Sequence, residues 1–126
     1  MLRRTCLGVM AAALSRATAP APNPIQLHVD LDADPARESE LVRNFHEIFE
    51  PAIRRQPGFV SVRLLKLRQA VVGEAPRDAN YRLVISFQTE AQRQAWVASQ
   101  DHQRAWPAIE RTLRPGGLRA ILYDEV

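Results

Sequence analysis

From Ile25 the chain alternates strictly, with Ile25, Leu27, Val29 and Leu31 on one side and Gln26, His28, Asp30 and Asp32 on the other. A period of two with a single apolar side predicts a half-buried strand. Asp34 followed by Pro35 fits a helix N-cap with proline at the first helical position. Leu41, Phe45, Ile48, Phe49, Ala52 and Ile53 then recur at spacings of three and four, one apolar stripe running to about Gln56. Pro51 falls inside the stripe and should bend the helix, because it removes a backbone donor and crowds the preceding turn. Pro57-Gly58 ends it. Residues 59–69, rich in Val and Leu, predict a second strand, and the Gly, Pro and Asp of 73–80 a hairpin turn. Tyr81, Leu83, Ile85 and Phe87 alternate with Arg82, Val84, Ser86 and Gln88 as a third strand. Thr89, three residues ahead of Gln92, opens a second helix with Ala91, Ala95 and Trp96 inward. Asp101 is read as the cap of a third helical segment whose face carries His102, Trp106, Ile109 and Leu113, bent at Pro107 and stopped by Gly116-Gly117. Residues 118–123 form the last strand.

The order β-α-β-β-α-α-β is the ferredoxin-like split β-α-β arrangement of the α+β class, a four-stranded antiparallel sheet with helices on one face. One helical layer leaves the other face bare. Strands 2 and 3 nevertheless carry apolar residues on both sides, with Val84 opposite Ile85 and Leu65 and Leu67 opposite Val60, Val62 and Leu64. Pairing of two copies sheet to sheet would bury that second face, so a homodimer is expected.

Composition changes this picture mainly at the N-terminus. There are 17 basic and 14 acidic residues, but Arg3, Arg4 and Arg16 all precede Pro20 and no acidic residue does. Setting those three aside leaves 14 basic against 14 acidic, without the clustered cations that phosphate binding requires, which excludes nucleic acid as the expected partner. Residues 1–24 read as a targeting segment and proline linker: a basic start, an apolar run from Cys6 to Leu14, then Ala17-Thr18-Ala19 and Pro20, Pro22 and Pro24. The run is too short for a stable membrane anchor. Export to the periplasm or medium is expected, by a route similar to the twin-arginine one given Arg3-Arg4, with a cytoplasmic location as the alternative. Residues 25–126 are then the folded domain.

Several residues carry a resemblance: the Pro57-Gly58-Phe59 turn after a long first helix, Tyr81 opening the third strand, and the run Trp96-Val97-Ala98-Ser99-Gln100-Asp101-His102. Over about residues 25–123 the chain resembles the antibiotic biosynthesis monooxygenase domain family of dimeric α/β-barrel proteins. The resemblance implies a pocket between sheet and helices that in some members oxidises phenols or quinols with molecular oxygen and with no metal or flavin cofactor, the substrate supplying the electrons. Other members degrade heme with an Asn, Trp and His trio. Here Phe87 stands at the position of that Trp and Trp106 at the position matching the His, a departure that argues against heme.

His102 is the expected catalytic residue, since an imidazole exchanges a proton near pH 7. At the start of a helical segment it can equally serve only to satisfy backbone groups. Trp96, Trp106, Tyr81, His28 and Phe87 are the expected substrate-binding residues, the indoles by stacking and Tyr81 by its phenolic donor, although tryptophans at helical spacing also serve as core anchors. The three histidines lie far apart, so no metal site is expected. Two functions remain open: a cofactor-independent monooxygenase acting on a small aromatic or quinol substrate, and a non-catalytic dimeric module that binds a small apolar ligand.

Overall fold

The computed structural model describes residues 23–126; the residues of the export reading, before Asn23, lie outside them. β1 (Ile25–Ala33), β2 (Phe59–Lys66), β3 (Tyr81–Phe87) and β4 (Leu113–Asp124) form one sheet in the order β2-β3-β1-β4. Every neighbouring pair is antiparallel. This is the expected split arrangement, and α1 (38–54), α2 (Glu90–Ala98) and α3 (Gln100–Glu110) lie against the sheet.

The period-two pattern decides the faces. Ile25, Val29, Leu31 and Ala33 of β1 and Tyr81, Leu83, Ile85 and Phe87 of β3 are buried beneath the helices with Leu41, Phe45, Phe49, Ile53, Trp96 and Ile109. On the opposite face Asp30, only 7% exposed, accepts from Arg82 (2.8 Å) and from Arg119 (2.8 Å). That face also carries Val84 and Ser86. Leu65, Ile121 and Tyr123, in register with or beside these residues, remain largely open.

Local chemistry sets the ends. Asp34 accepts from the Ala36 N–H (2.9 Å) and opens a short 3-10 turn, Pro35–Arg37, ahead of α1. Just before Pro51, where a bend is expected, the helix takes a π turn, Phe45–Phe49. Pro51 cannot donate to the Glu47 carbonyl, and the helix widens by one residue upstream, where the Glu50 N–H bonds to the Phe45 carbonyl. The extra residue rotates Ile48 out of the apolar stripe to 40% exposure, a correction to the even spacing read from the sequence. Gly58 has φ +79° and hydrogen-bonds through its carbonyl to the Gln88 N–H (2.8 Å). A Cβ there would lie 1.9 Å from Gln92 Oε1. Glycine is needed for the left-handed backbone, and the flexible end of the Gln92 side chain from α2 fills the space a Cβ would take.

Other expectations shift. β2 ends at Lys66 rather than near Gln69, and a bulge at Val60, between Phe59 and Ser61, puts Val60 out of step with Val62 and Leu64. Thr89 caps α2 through Gln92 N–H (3.1 Å) as expected, but Ala91 and Ala95 face solvent, and Gln92, Arg93 and Trp96 turn inward. The cap of α3 is Ser99, which accepts from the His102 N–H (3.2 Å), and Asp101 sits in the first turn. Ser99 has the extended backbone an N-cap requires. The helix continues past Pro107 and stops at Glu110, so Leu113 opens β4 and Gly116-Gly117 lie within it. There β4 breaks step: Leu113 pairs with Ala33 and residues 118–124 pair with 25–31.

Candidate functional site

Between β1, β3 and β4 on one side and α2 and α3 on the other lies a cavity of about 170 Å³. Its walls are almost wholly apolar, built from Leu27, Val29, Leu83, Ile85, Leu118 and Ala120 of the sheet, with Phe49, Trp96, Val97 and Trp106 from the helices. His102 and Arg93 are its two ionisable lining groups.

His102 reaches the cavity because Ser99 breaks the chain between α2 and α3. The break lets Trp96, at the end of one helix, meet the first turn of the next. The Trp96 ring stands edge-on to His102 (centroids 5.0 Å), and Trp106, one turn further, stacks on it nearly parallel (6.3 Å, 12°). Phe49 closes the other edge of Trp96 (5.7 Å). Neither ring nitrogen of His102 has a hydrogen-bond partner among the described residues. Burial pushes its pKa below the ordinary 6.5, because removing water penalises the charged form. At pH 7 the imidazole is therefore neutral, with a free lone pair beside an apolar space.

Arg93 was missed by sequence reasoning. Its side chain is only 17% exposed and makes a two-armed pair with Glu90, Nε to Oε1 and Nη2 to Oε2, both 2.6 Å. The hydrogen bonds that Arg93 donates to Glu90 raise its pKa and hold the guanidinium firmly charged. In the sequence a Glu and an Arg three apart read as a solvated helix pair. The usable signal was that Arg93 lies one helical turn before Trp96, on the same face.

The other expected ligand-binding residues are not brought to this cavity. Tyr81 is buried beneath α1, and its hydroxyl donates to Glu38 (2.8 Å), which also pairs with Lys66 (3.0 Å). Burial first, then that bond to Glu38, raises the phenol pKa. Phe87 is fully buried, edge-on to Phe59 (6.0 Å). His28 is on the opposite face of the sheet, against Tyr123 (4.9 Å) and Gln26 (2.9 Å). Alternation along β1 puts His28 on the other face, whereas Tyr81 and Phe87 share the face of Leu83 and Ile85 but stand at the two ends of β3, outside the cavity. No cluster of three or more His, Cys, Asp or Glu side chains that could hold a metal ion occurs among the described residues. None of their helices is long and apolar enough to cross a membrane.

Comparison with known proteins places this geometry. No curated protein matches the chain significantly. A protein from Bordetella bronchiseptica described as a candidate antibiotic biosynthesis monooxygenase superposes with a TM-score of 0.66 at 18% identity, covering 82% of this chain and 98% of its own. A dimeric ferredoxin-like protein of unknown function from Jannaschia sp. gives 0.68 at 19% identity over 82% and 99%. A candidate antibiotic biosynthesis monooxygenase from Caulobacter crescentus gives 0.64 at 16% identity over 84% and 92%. At these identities the likeness is one of fold. The sequence profile of antibiotic biosynthesis monooxygenases matches residues 24–108, which hold β1 to β3, α1, α2 and the His102 and Trp106 turns of α3, and the chain belongs to that family.

Proposed function

We propose that the protein takes a small hydroxylated aromatic or quinol into the cavity and oxidises it with molecular oxygen, His102 accepting the hydroxyl proton. One oxygen atom becomes the new carbonyl of the product and the other leaves as water, with all the electrons drawn from the substrate. The observation that carries this reading is a neutral, partnerless imidazole between two indoles at an apolar cavity. Apolar cavities of about 150 Å³ bind benzene, so a space of about 170 Å³ suits one ring or two fused ones. Deprotonation matters because a phenolate gives up electrons to oxygen far more readily than a phenol. A phenol of ordinary pKa, about 10, transfers its proton to such an imidazole uphill by roughly 5 kcal/mol. The cavity must therefore stabilise the anion, by excluding water and by a donor aimed at the charge.

The same cavity supports a second reading, binding without catalysis, because no second polar group among the described residues orients the His102 ring. Oxygen uptake with simple naphthoquinols separates the two. Catalysis predicts uptake above the spontaneous rate, falling at least about 100-fold in His102→Ala, the lower end for loss of a general base. Equal and negligible uptake by both proteins favours the binding module. The open sheet face supports a homodimer, and the composition of residues 1–22 supports export.

A further inference from the structure

Arg93 is the second ionisable group on the cavity wall. It is a cation on the wall of an otherwise apolar cavity, and Glu90 occupies two of its three nitrogens, Nε and Nη2. Gln94 donates to the same Glu90 carboxylate (3.0 Å) and helps fix it. The third nitrogen, Nη1, has no partner among the described residues. In the chain Arg93 lies one helical turn before Trp96, and His102 packs on Trp96 just after the Ser99 break. The two polar groups of the cavity thus neighbour the same indole, Arg93 along α2 and His102 by its ring contact.

We propose that Arg93 determines the specificity of this cavity: Nη1 donates to a hydroxyl or carbonyl oxygen on the ligand's ring, while Glu90, holding the other two nitrogens, turns away ligands that arrive as carboxylates. The inference rests on the cavity being the ligand site and names the ligand class, an uncharged ring bearing oxygen in preference to a bare hydrocarbon or an aromatic acid. The physical basis is asymmetric satisfaction. A guanidinium already neutralised by a two-armed carboxylate gains little from a second anion, but its remaining N–H groups lose water in an apolar space and gain from any neutral acceptor.

The chain has only two tryptophans, and both line the cavity. Their two indole N–H signals in a nitrogen-15 NMR titration report occupancy without any turnover. The probes are toluene, p-cresol and 4-methylbenzoate, which share a methylated ring and differ in the polar group. The unaltered protein should bind p-cresol about tenfold more tightly than toluene, the size of one hydrogen bond to a charged group, and 4-methylbenzoate more weakly than p-cresol. In Arg93→Gln the preference for p-cresol should shrink several-fold, leaving only what the bond to His102 supplies, with toluene binding unchanged. In Glu90→Gln the guanidinium loses its counter-charge, and 4-methylbenzoate should gain at least tenfold. That second variant keeps the test decisive if Arg93→Gln does not fold. A p-cresol preference undiminished in Arg93→Gln, or no gain for 4-methylbenzoate in Glu90→Gln, overturns the proposal and leaves the cavity as a ligand site. Indole signals unmoved by any of the three probes overturn both.

Discussion

At the scale of single residues, desolvation is the force that gives His102 its character. Its pKa in the fold lies below the ordinary 6.5, so between the two values the unfolded chain binds more protons than the native one. The contribution of His102 to stability is therefore full above 6.5 and declines as pH falls from there towards the folded value. The base-competent form persists over that same window, and the acid limb of oxygen uptake should lie below 6.5. A limb at or above 6.5 would mean that another group takes the proton. Asp30 works in the opposite chemical sense but with the same slope. Burial alone would raise its pKa, yet hydrogen bonds from Arg82 and Arg119 overcome that and hold it below the usual 3.8. Its stabilisation is complete above 3.8 and is lost as pH falls through the folded value. Replacing it, as in Asp30→Ala, removes the carboxylate that Arg82 pairs with and leaves Arg119 with Asp78 alone, and should cost about 1–3 kcal/mol in urea unfolding at pH 7, a difference that shrinks in acid.

At the scale of elements, the contact of Gly58 with α2 ties the β2 entrance to the helix that carries Arg93 and Trp96. Gly58→Ala should lose about 1–2 kcal/mol from its left-handed backbone. Adding Gln92→Ala should not recover it, since the Gln92 side-chain end can move aside while φ cannot; full recovery in the double variant would show the clash to be the whole effect. Much of this level was legible from residue order. Strict alternation fixed β1 and β3, and Thr89 with Gln92 fixed the start of α2. The misreadings occur where a neighbour in space overrides local pattern. Gly116-Gly117 look like a helix stop until β4 is seen pairing around them with Leu31 and Ala33. Ile48 fits the stripe until the π turn rotates it away. The site was half legible for the same reason. Helical spacing put His102 and Trp106 on one face of α3 and Trp96 on the inner side of α2, but Tyr81 and Phe87 face the helices at the two ends of β3 and His28 faces the other way, which depends on where along the sheet each helix packs. Arg93 was hidden by a pairing with Glu90 that looks like a solvated one.

At the scale of the whole molecule, the unpartnered sheet face is the feature that the single chain leaves unresolved. Leu65, Ile121 and Tyr123 are 47%, 44% and 51% exposed around the Asp30 ion cluster. A second copy laid sheet to sheet would remove them from water by a two-fold axis. Ile121→Asp should then yield monomer or aggregate in sedimentation velocity, because a carboxylate would be buried without a partner; an unaltered protein that sediments as a monomer at micromolar concentration would contradict the pairing. On the proposal of export, mass spectrometry of the mature protein should find its N-terminus between Ala17 and Ile25, and an intact chain starting at Met1 in the cytoplasm would refute it. The claim on which the functional account depends is that the space between sheet and helices is where an oxygen-bearing ring is held against His102. A crystal structure of the protein grown with 1-naphthol tests it directly. The account predicts the naphthol ring in this cavity, against Leu83 and Ile85 of the sheet, with its oxygen in hydrogen-bonding reach of His102; naphthol bound elsewhere, with this cavity closed by its own side chains, would contradict it.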